Sequence, residues 1–248
     1  MLDNKFDFSI TPELIGKSKN EIMYVHLLDL PRFPDSPEVI VKDKIFLHPD
    51  LLGNFGPAML ATKIDKRERS QSISINEKTS SVYVTPIIIG NEYSMGAKAS
   101  FQKLSRFMHI TQKTLIDFHT HPKNFWIQSY QDVASARAFP RVTYMHMVGS
   151  DSGIFALLQT NKALSVKNLP TTLFDDLCVF LQKNNWPIIK PELAGSLHYY
   201  LGDSSPEELS RLASIVNELG FACYEWSAPN GVIRENDLIN GIVLNRVK

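Results

Sequence analysis

At 248 residues and 28.1 kDa, the chain is long enough for one large domain or two small ones. Apolar residues make up 44% and charged residues 21%, which excludes a disordered or a fibrous chain. Lys plus Arg and Asp plus Glu stand at 26 each, so the formal net charge is zero and no large electrostatic footprint for nucleic acid or an acidic membrane is expected.

The two cysteines, Cys178 and Cys223, make neither a disulfide framework nor a zinc pair, and read as ordinary semi-buried thiols in a reducing compartment. Residues 1–10 lack the basic start and apolar run of a secretory leader. No stretch approaches the ~20 apolar residues that a membrane span needs. The expectation is a soluble cytoplasmic protein that binds no nucleic acid and no membrane, of unassigned oligomeric state.

In chain order, residues 1–35 form an N-terminal extension in which 20–30 could be strand or short helix before Pro31, Pro34 and Pro37. Val39 to Val41 predicts a short strand. Ile45 to Leu52 predicts a helical turn or two, limited by Pro49, and Gly53, Asn54 and Gly56 a turn-rich break. Ala58 to Ile64 then reads as a strand, Asp65 to Arg69 as a charged hairpin tip, Ile73 and Ile75 as part of the next strand, and Val82 to Ile89 as another. Ala97, Phe101, Leu104 and Met108 recur at helical spacing, so Gly96 to Met108 predicts an amphipathic helix.

A short apolar strand, Leu115 to Phe118, runs into His119. A helix follows from Ser129 to Ala138, stopped by Pro140. Val142 to Val148 and Ile154 to Leu158 predict two strands. Thr172 to Gln182 predicts a helix. Another starts at Ser205-Pro206-Glu207-Glu208, with Ser as cap and Pro in the first turn, and closes at Gly220. Phe221 to Trp226 and Ile239 to Val247 complete the strands. The fold class is α/β of the α+β type, divided as an extension over 1–35, a central domain over 36–162 and a smaller C-terminal α/β appendage over 163–248, with a soft boundary near 161–170.

The chemistry concentrates in Asp117-Phe118-His119-Thr120-His121-Pro122, then Ser129 and Asp132. Histidines two apart on a strand point to one side, so both imidazoles can reach one metal ion. Asp132 falls in the first turn of the next helix, where its carboxylate can face the same place. Two imidazoles and a carboxylate leave the fourth position of a tetrahedral zinc for water, which such an ion activates. Taken alone, Ser129-x-x-Asp132 is also a helix capping box. Asp117 belongs on the histidine side of its strand and is a candidate partner for a ligand. Of the other histidines, His146 is the one whose position relative to the metal matters.

His119-x-His121-Pro122, a seven-residue spacer and Ser129-x-x-Asp132 together resemble the JAMM motif of the MPN-domain zinc metalloproteases. The motif covers 119–132, and the order of strands and helices extends the resemblance over about 38–158, roughly half of the chain. The resemblance implies an MPN-like mixed β-sheet flanked by helices, Zn2+ held by His119, His121 and Asp132, and Ser129 hydrogen-bonding the tetrahedral intermediate. It implies amide hydrolysis by a peptidase or isopeptidase acting on a ubiquitin-like or other protein or amide substrate.

Active members of that family carry an upstream Glu as general base, in a pattern like Glu-x-x-Gly-x-Leu-x-Gly. The best local match, Asn54-Phe55-Gly56-Pro57-Ala58-Met59-Leu60-Ala61, has Asn in its place, and Asn cannot take a proton from water near neutral pH. The other upstream carboxylates are Glu68, read as part of a solvated hairpin tip, Glu77, and Glu92, read as a turn residue. The competing function is therefore a catalytically inactive MPN-like interaction module. An amidohydrolase-type barrel opening on His-x-His is disfavoured, because only 127 residues follow His121 and they hold just two further histidines, His146 and His198.

Overall fold

Alternating and β-branched runs become the strands of one mixed sheet. The structure, a computed structural model, describes residues 22–25, 41–76, 81–90, 112–122, 132–133, 136, 143–160 and 206–248. Within them lie β1 (Ile22–Val25), β2 (Lys44–Leu47), β3 (Arg69–Asn76), β4 (Ser81–Val84), β5 (Ile88–Ile89), β6 (Gln112–Thr120), β7 (Thr143–Gly149), β8 (Gly153–Gln159), β9 (Phe221–Ser227) and β10 (Ile242–Arg246). The helices are α1 (Pro49–Asp65), α2 (Pro206–Glu218) and α3 (Glu235–Leu238). The sheet runs β1-β2-β10-β9-β8-β7-β6-β3-β4, with β5 beside the start of β3. The pairs β1–β2 and β6–β7 are parallel and the others antiparallel. An α/β class is therefore observed.

Strand alternation gives the sheet two different faces. One face presents Ile73, Ile116, Phe118, Met145, Met147, Ile154, Ala156, Leu158, Ala222 and Tyr224, packed against Leu51, Leu52, Phe55, Ala58 and Met59 of α1. Phe55 stacks on Phe118 with ring centroids 4.2 Å apart. The opposite face presents Val148, Phe155, Leu157, Phe221 and Cys223 to Leu209, Leu212, Ala213 and Val216 of α2, and to Val133 and Ala136. Among the described residues, that second apolar layer stops at β7. On β6 and β3 the same face carries Asp117, His119, Ser70 and Ser72, so polar chemistry begins where the covering layer ends.

The clearest departure from the sequence reading is α1. Gly53, Asn54 and Gly56 are not a turn and Ala58 to Ile64 is not a strand; all lie in one 17-residue helix. Pro49 opens it at a position that needs no N–H, and the His48 Nδ1 accepts the Asp50 N–H at 3.2 Å. Two glycines and Pro57 cost the helix roughly 5 kcal/mol of propensity in all. Burying Leu51, Leu52, Phe55 and Met59 against the sheet contributes about 1.5–3 kcal/mol each. Packing therefore overrides the local signal. A Cβ on Gly56 would meet Leu238 Cδ1 at 2.9 Å, so that glycine also lets α1 and α3 approach closely.

Other differences are smaller. Ile45 to Leu47 is strand β2, and the helix starts only after it. The expected strand from 82 to 89 is split into β4 and β5. Asp65 to Arg69 is no hairpin tip: Lys66 caps α1 in the left-handed conformation (φ 59°), and Arg69 already starts β3. The strands around His119, over 143–149 and over 153–159, the helix from Pro206 and the strand from Phe221 stand as expected, while the last strand is preceded by α3 and begins at Ile242. The readings at 39–40, 96–108 and 172–182, like the boundary near 161–170, lie outside the described residues. Beyond that boundary, β9 and β10 are inserted in the sheet between β8 and β2, and from the N-terminal extension β1 pairs with β2. No described helix is long and apolar enough to cross a membrane.

Candidate metal centre

The register of three neighbouring strands builds the site. Ser70 of β3 pairs with His119 of β6, and His119 pairs with Val148 of β7. Beyond the last rung of β6, the His121 N–H donates to the Gly149 carbonyl at 2.9 Å, so the second histidine is still held by the parallel neighbour. Gly149 is required there because a Cβ would run into the Met59 thioether and come within 3.0 Å of Phe118 Cε2. The two imidazoles therefore leave the sheet on one side, as the i, i+2 spacing predicted.

Asp132, in a helical turn with the buried Val133, reaches both rings. Its Oδ1 lies 3.2 Å from His119 Nε2 and its Oδ2 lies 3.3 Å from His121 Nε2. The two Nε2 atoms are 3.0 Å apart. A tetrahedral ion with ligand bonds of about 2.0–2.1 Å sets its ligand atoms roughly 3.3 Å from one another. The two Nε2 atoms stand close to that edge length, each ring has a different oxygen of the Asp132 carboxylate at 3.2–3.3 Å, and one ligand atom from each residue lies within 4.8 Å of the others. His119, His121 and Asp132 are thus a group that could bind a metal ion.

Charge inside the group supports the same conclusion. Burial disfavours charge on His119, but the Asp132 carboxylate and its hydrogen bond outweigh it, aided by Glu68 and Asp117, and hold His119 up at about 9. Burial likewise works against the Asp132 carboxylate, yet the two imidazoles keep it well below the usual carboxylate range. Without a cation the site therefore keeps a proton on His119 to balance the aspartate. A divalent ion would take over that role.

Glu68 is the residue that the sequence reading set aside. It is not a solvated tip residue: only 7% of it is exposed. It directly precedes Arg69 of β3, and by alternation it shares the face of Ser70 and Ser72, which is the histidine face. Burial pushes its carboxyl up to about 8, the Asp132 charge adds to this and His119 opposes it. Its backbone is pinned by the Gly90 N–H, which donates to the Glu68 carbonyl at 2.8 Å. The signal that could have found it is its place, since a strand that pairs antiparallel with the His-x-His strand begins one residue later.

Asn54, the expected occupant of the Glu position, is elsewhere. It lies in α1, across the sheet from the histidines, and its Nδ2 donates to the Asp50 carbonyl at 2.8 Å. Glu77, Glu92, Phe125, Trp126 and Ser129 lie outside the described residues. Asp117 does share the histidine face. Its Oδ1 accepts the Ser72 hydroxyl at 2.9 Å, and its Oδ2 stands 3.9 Å from His146 Nδ1. Burial, joined by the charge of His119, pushes His146 down to about 4, so this histidine is neutral beside the centre. Cys223 is a buried free thiol, pushed up to about 12 by burial, while Cys178 lies outside the described residues. No protein-family model matches the chain, and no curated protein matches it.

Proposed function

We propose that this chain is a zinc-dependent amide hydrolase of the JAMM type with an MPN-like fold, a peptidase or isopeptidase acting on a ubiquitin-like or other protein or amide substrate in the cytoplasm. The observation that carries the reading is the convergence of His119 Nε2, His121 Nε2 and the Asp132 carboxylate, each within 3.0–3.3 Å of the next, with the Glu68 carboxyl buried within electrostatic reach. Two imidazoles and one carboxylate are the donor set of open, catalytic zinc sites.

Zinc held there supplies a Lewis acid for water and for the scissile carbonyl. The chain's own groups do the rest. His119 and His121 bind as neutral imidazoles, and Asp132 balances the ion's charge. Glu68 takes the proton of the attacking water and returns it to the leaving amine. Its proton affinity, raised by burial to about 8, lies near neutrality, as both halves of that transfer require. Ser129 donates to the developing oxyanion, a role that rests on the resemblance of its position.

The inactive-module alternative drew its main support from Asn54. Glu68, buried and coupled to His119 and Asp132, offers a carboxylate for the role that Asn54 cannot fill, which supports the hydrolase reading. The test is metal analysis of the purified chain followed by hydrolysis assays on peptide amides and on isopeptide-linked ubiquitin-like proteins. About one zinc per chain, lost in a His119→Ala, His121→Ala double variant, with cleavage abolished by Glu68→Gln, is the expected result. Bound zinc without cleavage of any amide in the panel favours the module.

A further inference from the structure

Thr120 stands between the two histidines, and its side chain leaves β6 on the opposite face. It is fully buried, and its hydroxyl is engaged on two sides. The last backbone pair between β3 and β6 is Ser70 with His119. One step further, the Arg69 N–H donates to the Thr120 hydroxyl at 2.8 Å, so a side chain stands in for the next rung. The same hydroxyl is 2.6 Å from the Thr62 hydroxyl of α1.

Donors and acceptors around the two hydroxyls are matched. Thr62 donates its one hydroxyl proton to the Arg67 carbonyl at 2.9 Å and accepts Arg69 Nη1 at 3.2 Å. Thr120 accepts the Arg69 amide, and its own hydroxyl proton has Thr62 Oγ1 at 2.6 Å and the Arg69 carbonyl at 3.5 Å within reach. The Arg69 guanidinium is itself held by Asp65, with Nη1 to Oδ1 at 2.8 Å and Nη2 to Oδ2 at 2.5 Å, and it donates to the Arg67 carbonyl at 2.8 Å. Each end of this buried chain terminates in the backbone or in an ion pair, so every member has a partner.

We infer that Thr120 is a positioning residue of the metal centre, whose hydroxyl rung locks the Glu68 end of β3 and the C-terminus of α1 to the strand end that carries His119 and His121. The inference rests on the metal-site reading above. Glu68 adjoins Arg69, and both histidines adjoin Thr120, so slack in this one rung displaces the acid relative to the ligands. Centres of this kind tolerate only about 0.5 Å of such slack.

The test compares Thr120→Val, which keeps the shape and removes the hydroxyl, with Thr120→Ser, which keeps the hydroxyl. The readouts are zinc affinity of the full chain, by competition with a chelating dye, and amide hydrogen exchange of Arg69 in the metal-free protein. Ile45→Val on β2, far along the sheet, is the control for general destabilisation. Thr120→Val is expected to weaken zinc binding about 10- to 100-fold and to speed exchange at Arg69. Thr120→Ser keeps wild-type affinity, and Ile45→Val loses Tm without losing zinc. If Thr120→Val does not fold, Thr62→Val takes its place, with the same direction expected. Wild-type zinc affinity in the valine variant, or an equal loss in the control, overturns the inference alone. A wild-type chain that binds no zinc overturns the metal site and the inference with it.

Discussion

The Glu68 carboxyl and the His119 imidazole lie close enough that each alters the proton affinity of the other: the acid raises the base, and the base opposes the rise of the acid. They come from adjacent strands, one residue before β3 and one before the end of β6. A carboxyl, two imidazoles and a second carboxylate thereby share one side of the sheet, and this sharing generates the expectations below.

Replacing Glu68 by Gln keeps shape and hydrogen bonding but removes the proton acceptor. Amide cleavage should fall by roughly 10²- to 10⁴-fold while about one zinc remains bound. Turnover and metal content measured on the same preparation check this. Loss of zinc in that variant would instead make Glu68 a ligand.

Metal-free protein should lose stability as pH rises from about 5 to 9. The folded pKa of Glu68, about 8, lies above its ordinary 4.5, so its contribution is fully present below 4.5 and is lost as pH climbs through 8. His119 behaves alike, with its contribution present below 6.5 and lost through about 9. Asp132 is depressed, so its contribution acts at the other end and is lost in strong acid. The rise of Glu68 from 4.5 to about 8 corresponds to about 4–5 kcal/mol across that window. Thermal melts in chelator from pH 5 to 9 should show the fall, and Glu68→Gln should flatten its lower half. Zinc should reverse the trend, since binding expels the protons that the free site retains.

Removing one ligand should be decisive. His121→Ala or Asp132→Asn is expected to weaken zinc binding by more than about 100-fold, beyond the loss from a supporting residue. Chelator competition measures it. His146→Ala, whose ring faces Asp117 rather than the three ligands, should retain the metal.

The glycines that seat α1 should differ in their tolerance. Gly149→Ala drives a methyl into Met59 and Phe118, two fully buried side chains, and should cost about 1–3 kcal/mol. Gly56→Ala meets only the end of the Leu238 side chain, and gains about 0.5–1 kcal/mol of helix propensity in return. Chemical denaturation of both variants should find the first well below wild type and the second close to it.

The shared side of His119 and His121 was legible without coordinates because strand alternation is a local property. Once Leu115 to Phe118 is a strand, His119 and His121 must share a side, and Thr120 must face away. The strands at 143–149, 153–159 and 221–227, and the start of α2 at Pro206, were equally local, written in short apolar and aromatic runs and in a serine with proline behind it. Tertiary structure decided the rest. Gly53, Gly56 and Pro57 argue against a helix in isolation, and only the sheet beneath α1 supplies the buried area that outweighs them. The charges from Asp65 to Arg69 look alike along the chain, yet each has a separate fate. Asp65 at the end of α1 pairs with Arg69 at the start of β3, Lys66 caps the helix, and Glu68 turns inward to the histidines. Which charge is buried depends on which strand lies opposite, and pairing between residues about fifty positions apart leaves no trace in local propensity.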